Sequence, residues 1–226
     1  MLSALVKAFA QLSDPRLRRI LKIGIVAALV CWFGLAAGAS AVLSHVRLFE
    51  NTWADTGAGA ALGLVALLTP LLFFSALATF VMSFWLDDVC DVVEDRHYPG
   101  LGPARQLGWS EVLLSSSRFL LVMVAVTAAA APFYVALLFF GLGIILNYTV
   151  NGYLLGREYF ELVASRRMEA DQARLLFRNN LGRVWLCGAV INLLFQIPLL
   201  NLTAPVTAAA FMVHVVQGLR RGEGKI

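Results

Sequence analysis

The stretch VWLCGAVINLLFQIPLLNLTAPVTAAAFMVHVVQ, Val184 to Gln217, contains no Asp, Glu, Lys or Arg. Its 34 residues exceed the roughly 20 apolar residues that one simple membrane span needs. Its middle, Ile197-Pro198-Leu199-Leu200-Asn201-Leu202-Thr203-Ala204-Pro205, holds two prolines and two hydrogen-bonding side chains. Proline removes a donor and crowds the preceding turn, so an unbroken helix is not expected here. Two half-helices are expected instead, Val184–Ile197 and Thr203–Gln217, joined by a bend. At ~1.5 Å per residue each arm is about 20 Å long, short of a ~30 Å hydrocarbon core. Such a segment enters and leaves on one side, as a re-entrant hairpin. Irregular backbone at that depth is tolerated only against protein or a watery cavity. A polar bend between half-helices offers freed backbone groups and helix dipoles, which makes Asn201 and Thr203 candidate ligand contacts. The competing reading is that Asn201 caps the turn and satisfies its own backbone.

Working outward, 60% of the 226 residues are hydrophobic and 14% are charged, with a mean hydropathy of +0.78. That composition is an integral membrane protein in one membrane domain, residues 1–226, not a soluble domain with a large core. The net charge of +4 is therefore a topology signal, since Lys and Arg mark the cytoplasmic side, and not a sign of nucleic-acid binding. Cys31, Cys90 and Cys187 lie far apart, without CxxC or CxxH spacing. They read as packing residues, with no metal site or cofactor implied.

Residues 1–22 hold Lys7, Arg16, Arg18, Arg19 and Lys22 against one acid, Asp14. Leu2, Leu5, Val6, Phe9 and Leu12 recur with helical period, as in a segment lying on the membrane surface. Ser13 or Asp14 before Pro15 reads as an N-cap and a first-turn proline. Residues 23–43 form the first full span, with Gly34 and Gly38 as a GxxxG pair. A cleaved signal peptide is the competing reading, but the apolar run is long for one and further spans follow. Residues 62–86 form the second full span, kinked at Pro70.

Asp87, Asp91 and Asp95 then recur on one helical face, with Glu94 and His97 nearby. A metal or proton-relay site is weighed against carboxylates that carry a helix out of the membrane into water, and the second reading is preferred. Pro103 to Ser117 reads as a short interfacial helix. Residues 119–146 are apolar and interrupted at Pro132, either one kinked span or a second hairpin. Charge decides between them. Residues 147–183 carry Arg157, Arg166, Arg167, Arg174, Arg178 and Arg183, and a hairpin at 119–146 keeps them on the side of the basic N-terminus. The tail, with Arg220, Arg221 and Lys225, then lies there too. The expected plan is all-α and polytopic: two full transmembrane helices (23–43 and 62–86), two re-entrant hairpins (119–146 and 184–217), a cytoplasmic basic helical region (147–183) and amphipathic interfacial helices.

Gly188-Ala189-Val190, followed by Ile197-Pro198-Leu199-Leu200-Asn201-Leu202 and Pro205, resembles the CysZ sulfate permease family, which is grouped with the etoposide-induced membrane proteins. Three further patches agree in order: Ser13-Asp14-Pro15-Arg16-Leu17-Arg18-Arg19, then Ser83-Phe84 with Val92 and Glu94, then Glu158-Tyr159-Phe160. Arg16, Gly24 and Ser83 depart from the family pattern. The resemblance implies an oligomeric protein of the bacterial inner membrane that takes up sulfate for cysteine synthesis. It also implies two long spans, two half-penetrating hairpins and anion contact by the N-terminal arginine motif. That role carries over to Pro15, Arg18 and Arg19, and Arg16 has no counterpart.

The chemistry is consistent with that expectation. Sulfate is a tetrahedral dianion that accepts hydrogen bonds and donates none. A helix N-terminus presents N–H groups and a positive dipole end. Arginine adds charge and forked donors. The alternative is that Arg18 and Arg19 only anchor the helix to anionic lipid. Functionally, an oxyanion permease with both termini cytoplasmic stands against a membrane scaffold without transport. An enzyme is not expected, because no Ser/His/Asp set, metal spacing or paired catalytic acids stand out.

Overall fold

Glycine and proline positions explain most of the helix boundaries in the computed structural model, which describes residues 2–43, 79–105, 108–139 and 142–223. Among the described residues there are helices and connections only, with no strand. The chain divides into two compact units, one of Met1–Leu17 with Leu86–Ile226 and one of Arg18–Trp85. Among the described residues no helix is long and apolar enough to cross a membrane.

Helix α1 is Leu2–Gln11 and α2 is Pro15–Leu43. Asp14 makes the boundary: its Oδ1 accepts the backbone N–H of Arg16 at 2.9 Å. This is N-capping directly before a first-position proline, so of the two expected caps it is Asp14 that acts. Within the unit Arg18–Trp85, helical residues 79–83 meet α2, and Met82 is fully buried. A Cβ at Gly24 would lie 2.6 Å from the Met82 side chain. A Cβ at Gly34 or Gly38, the expected GxxxG pair, would meet no described atom within 4 Å, and most of the span expected to face them lies outside the described residues. Most of the expected second span, 62–78, lies outside the described residues. Its end does not run on smoothly, because a turn at Phe84–Trp85 separates 79–83 from α3, Leu86–His97.

The larger unit contains α1, α3, α4 (Trp109–Phe139), α5 (Gly143–Ser165), α6 (Ala170–Asn179), α7 (Leu181–Gln196), α8 (Pro198–Asn201) and α9 (Ala204–Glu223). Its centre is α9. Val206, Ala208, Ala209, Met212, Val213 and Val216 are fully buried there, as expected of a helix apolar on nearly every face. Helices α1, α3, α5 and α7 pack around it.

The half-helices expected on either side of Pro198 correspond to α7 and α9, with one turn, α8, in the bend. Ile197 is extended (φ −89°, ψ 114°), the conformation that a following proline enforces. The other apolar stretch is arranged differently from the expectation. Pro132 sits inside α4, which runs unbroken from Trp109 to Phe139. Of the expected short helix Pro103–Ser117, only 109–117 are helical, as the first turns of α4, and Pro103–Arg105 and Gly108 lie outside it. Helix α4 ends at Phe139 instead, and α5 starts at Gly143 and continues into the arginine-rich region. Proline costs one hydrogen bond in a helix, whereas the sequence Phe140-Gly141-Leu142-Gly143 places two glycines where the helix ends.

Helices α5 and α7 run antiparallel and share the most extensive interface. Gly152, Gly156 and Gly188 make it close. A Cβ at Gly156 would lie 2.5 Å from the Val184 carbonyl oxygen. One at Gly188 would collide with the Gly152 carbonyl oxygen and the Gly156 backbone. Asn192 and Gln196 of α7 both donate to Asn147 Oδ1 of α5 at 3.0 Å. The start of α5 and the bend at 197–203 therefore lie at the same end of this helix pair, and the arginine-rich turns lie at the other.

Candidate functional site

The sequence singles out two places, and the structure shows what each side chain does there. Pro15, Arg18 and Arg19 are exposed residues at the start of α2. The positive end of α2 already holds an anion of the protein's own, because Asp14 accepts the Arg16 N–H. The other oxygen of Asp14 accepts Arg96 Nη1 at 3.2 Å. Arg16 itself pairs with Asp95 at 3.6 Å, with both side chains exposed. At the α8–α9 bend, Asn201 Nδ2 donates to the Phe195 carbonyl at 2.8 Å and Thr203 Oγ1 donates to the Leu200 carbonyl at 3.0 Å. Asn201 thus satisfies a backbone carbonyl from across the bend, and Thr203 adds a second bond to a carbonyl that already accepts its own N–H. Asn201 Oδ1 is buried without a partner. Pro15, Asn201 and Thr203 sit on separate elements of one unit, and Arg18 and Arg19 belong to the other unit.

The most buried charges lie elsewhere. Glu94 on α3 is 2% exposed. Its Oε1 accepts Arg167 Nε at 2.9 Å and its Oε2 accepts Arg167 Nη2 at 2.5 Å. Arg167 Nη1 also donates to the Gly102 carbonyl at 2.6 Å. Neighbouring Arg166 donates through Nη1 to Asp87 at 2.8 Å and through Nη2 to Asp91. Three carboxylates on one face of α3 therefore clamp two consecutive arginines of the turn between α5 and α6. Forked pairing of this kind orients both groups as well as joining them. The bond from Glu94 is the main reason the Arg167 pKa is raised, with burial opposing it. Gln217 on α9 reaches Glu94 Oε1 at 3.5 Å, and Arg220 donates to Gln217 Oε1 at 3.1 Å. The network ties α3, the α5–α6 turn and α9 together. Cys90 lies beneath it, and burial pushes its thiol well above the ordinary range, which leaves it a packing residue.

The preference for solvated carboxylates along α3 thus holds for position but not for role. Asp87, Asp91 and Asp95 have largely exposed side chains, while Glu94 is buried. No group of His, Cys, Asp and Glu among the described residues is arranged to hold a metal ion. Beside the network lie two clefts separated by the 101–103 loop and Arg167. The larger, about 470 Å³, is lined by Arg105, Arg166, Arg167 and Arg220 with Glu169 and Gln172 among its walls. The smaller, about 350 Å³, has Asp91, Glu94 and Asp95 among its walls.

Comparison with protein families gives a match to the family described as sulfate transporter CysZ/etoposide-induced protein 2.4, over residues 4–205. The chain belongs to that family. No curated protein and no solved structure matches it. The family match extends over α1 to the start of α9 and takes in the arginine motif, Glu94 with its partners Arg166 and Arg167, and the proline bend, while Gln217 and Arg220 lie beyond it. This CysZ-type chain therefore carries a family described by its transporter members, not by an enzyme activity.

Sequence reasoning missed Glu94, Arg166 and Arg167 as a unit, and it missed the amide cluster of Asn147, Asn192 and Gln196. The cluster left a signal: Asn192 and Gln196 are four apart on an otherwise apolar helix. Glu94 left none that separates it from four other acids on the same helix.

Proposed function

We propose that this chain is a permease or channel for sulfate, or a related oxyanion, in the bacterial inner membrane, where it supports sulfate uptake for cysteine biosynthesis. The observation that carries this reading is the family match over residues 4–205. In this reading Ile23–Leu43 and Leu62–Leu86 cross the bilayer. Residues 119–146 and 184–217 dip into it as hairpins, and residues 147–183 and both termini stay in the cytoplasm. Large apolar side chains are exposed in stripes, Val26, Val30 and Phe33 on α2 and Leu113, Leu114, Leu120 and Leu121 on α4. Lipid or a further copy of the chain in a homo-oligomer would cover such patches.

Arg18 and Arg19 are the proposed sulfate contacts, with Pro15 setting the helix start. Asp14 occupies the nearest backbone donor, so incoming sulfate competes with a carboxylate that the protein supplies. Asn201 and Thr203 act at second hand, by holding the bend through their bonds to the Phe195 and Leu200 carbonyls. The second reading is a membrane scaffold, which stays in view because the family's description also covers an etoposide-induced protein that it does not call a transporter. Arg18→Ala with Arg19→Ala separates the two. A permease loses sulfate flux while its assembly state on size-exclusion chromatography is kept. A scaffold changes its assembly or shows no effect.

A further inference from the structure

Apart from the arginine motif, the Glu94 network and the proline bend, two histidines meet where α1, α3 and α9 come together. The rings of His97, at the end of α3, and His214, on α9, stand edge to face with centroids 5.0 Å apart. His214 is 6% exposed. Its Nδ1 lies 2.9 Å from the Tyr98 hydroxyl, and its Nε2 is buried without a hydrogen-bond partner. Neither ring nitrogen of His214 therefore meets a carboxylate. The Tyr98 ring in turn carries the Arg221 guanidinium, 5.2 Å from its centroid.

The charges facing the pair have one sign. Burial lowers the His97 pKa, and Arg96 of α3 and Lys7 of α1 oppose its proton further. Arg221 is the cation that α9 contributes, over Tyr98. The acids of the surrounding helices are engaged elsewhere: Asp87, Asp91 and Glu94 with Arg166 and Arg167, Asp95 with Arg16, and Glu161 of α5 with Arg157. Asp88 and Glu158 are exposed, and α7 and α8 contain no acid. A proton added to His214 thus makes a buried charge with no counter-ion, which is costly.

Of the three elements, α1 is the one that can yield. Helices α3 and α9 are joined through Glu94 and Gln217, and α1 stands outside that network. It packs on α9 through Ala8 and Gln11, and the Gln11 amide is buried without a hydrogen-bond partner. A helix of 10 residues is marginal without such packing. Its far end is tethered, because Asp14 accepts Arg96 at 3.2 Å.

We propose that this junction is an acid-sensitive clasp: as the pH falls, the His97–His214 pair becomes cationic and drives α1 off α9, and the N-terminal end of α1 swings about residues 12–14. The clasp involves no transported ion, so it stands or falls apart from the permease reading.

The test measures a distance in the full-length protein in neutral detergent. Cys31 is replaced by serine because it is exposed, whereas Cys90 and Cys187 are buried. Ser3→Cys on α1 and Gln172→Cys on α6, both at exposed positions, carry nitroxide labels. Double electron–electron resonance follows their separation from about pH 8 to about pH 5, on either side of the ordinary histidine value. The clasp predicts a narrow distribution at the alkaline end and, below about pH 6.5, a second population displaced by about 10 Å, a helix diameter. Circular dichroism at each pH checks that the helices persist. His97→Asn with His214→Gln cannot be charged and keeps an acceptor for the Tyr98 hydroxyl, so it should hold the narrow distribution throughout. His97→Asn alone should make the transition shallower, with one proton driving it instead of two, and it decides the matter if the double variant does not fold. Asp95→Asn should leave the transition unchanged. A separation constant across the range in folded protein overturns the proposal. So does a transition that survives unaltered in the histidine variants, or one that Asp95→Asn abolishes.

Discussion

Replacing Gly188 with alanine adds one methyl group, and the structure leaves no room for it. The new Cβ would lie 2.7 Å from the Gly156 Cα and closer still to the Gly152 carbonyl oxygen and the Gly156 nitrogen. These are backbone atoms, so no rotamer change relieves the clash. Carbon atoms pack at about 3.5–4.0 Å, so the axes of α5 and α7 must part by about 1 Å. A gap of that size forfeits roughly a quarter to a half of the dispersion energy along the interface. Overpacking into a rigid site costs about 1–3 kcal/mol or more, against about 1 kcal/mol regained from the better helix propensity of alanine. We expect a net loss of about 2 kcal/mol, at the upper end of that range because the clash is with backbone, or a melting temperature lower by roughly 4–8 °C for a chain of this size. Gly218→Ala is the internal comparison, because nothing lies within 4 Å of a Cβ there. It should melt at the wild-type temperature or a few degrees higher. Thermal unfolding followed by circular dichroism in one detergent reads both variants. If Gly188→Ala melts with the wild type, α5 and α7 are not packed backbone to backbone and the argument fails.

Three further outcomes follow from the charge network and its surroundings. Glu94→Ala strands Arg167 in a buried site and should cost about 3–5 kcal/mol, whereas Asp95→Ala, which breaks the exposed pair with Arg16, should cost about 1 kcal/mol or less. Equal melting temperatures for the two would contradict the burial of Glu94. Asp14→Ala removes the α2 cap and one partner of Arg96, for a loss of about 1 kcal/mol in the same melts. His97 has its pKa lowered by burial, with Arg96 and Lys7 adding repulsion. As pH falls through the ordinary histidine value near 6.5, the unfolded chain takes up the proton first. Stability that is full above that value is therefore lost below it, and His97→Asn should flatten the melting temperature over that window.

The sequence made some of this fold legible and hid the rest for physical reasons. Pro198 and Pro205 announced the α7–α9 bend because each falls where a helix must stop or start. Pro132 misled, since a single missing N–H does not end a helix with strong apolar turns on both sides, and the glycines at 141 and 143 were the better marker. The GxxxG pair at Gly34 and Gly38 drew notice for its spacing, yet Gly152 and Gly156 have the same spacing and take the close approach. Only the partner helix, with Gly188, distinguishes the two pairs. Helix α3 carries Asp87, Asp88, Asp91, Glu94 and Asp95. No periodicity reveals which one is buried, because that depends on Arg166 and Arg167, more than seventy positions away. The arginine motif was legible as a basic helix start. That Asp14 caps it with an anion follows only from the geometry of the turn.

The central claim is tested most directly by radiolabelled sulfate uptake into proteoliposomes that hold the purified protein, beside empty vesicles and beside Arg18→Ala with Arg19→Ala. The account predicts saturable uptake well above empty vesicles that collapses in the substituted protein while its melting temperature is kept. Uptake no greater than in empty vesicles, from protein shown to be folded and inserted, would contradict it and leave the scaffold reading in its place.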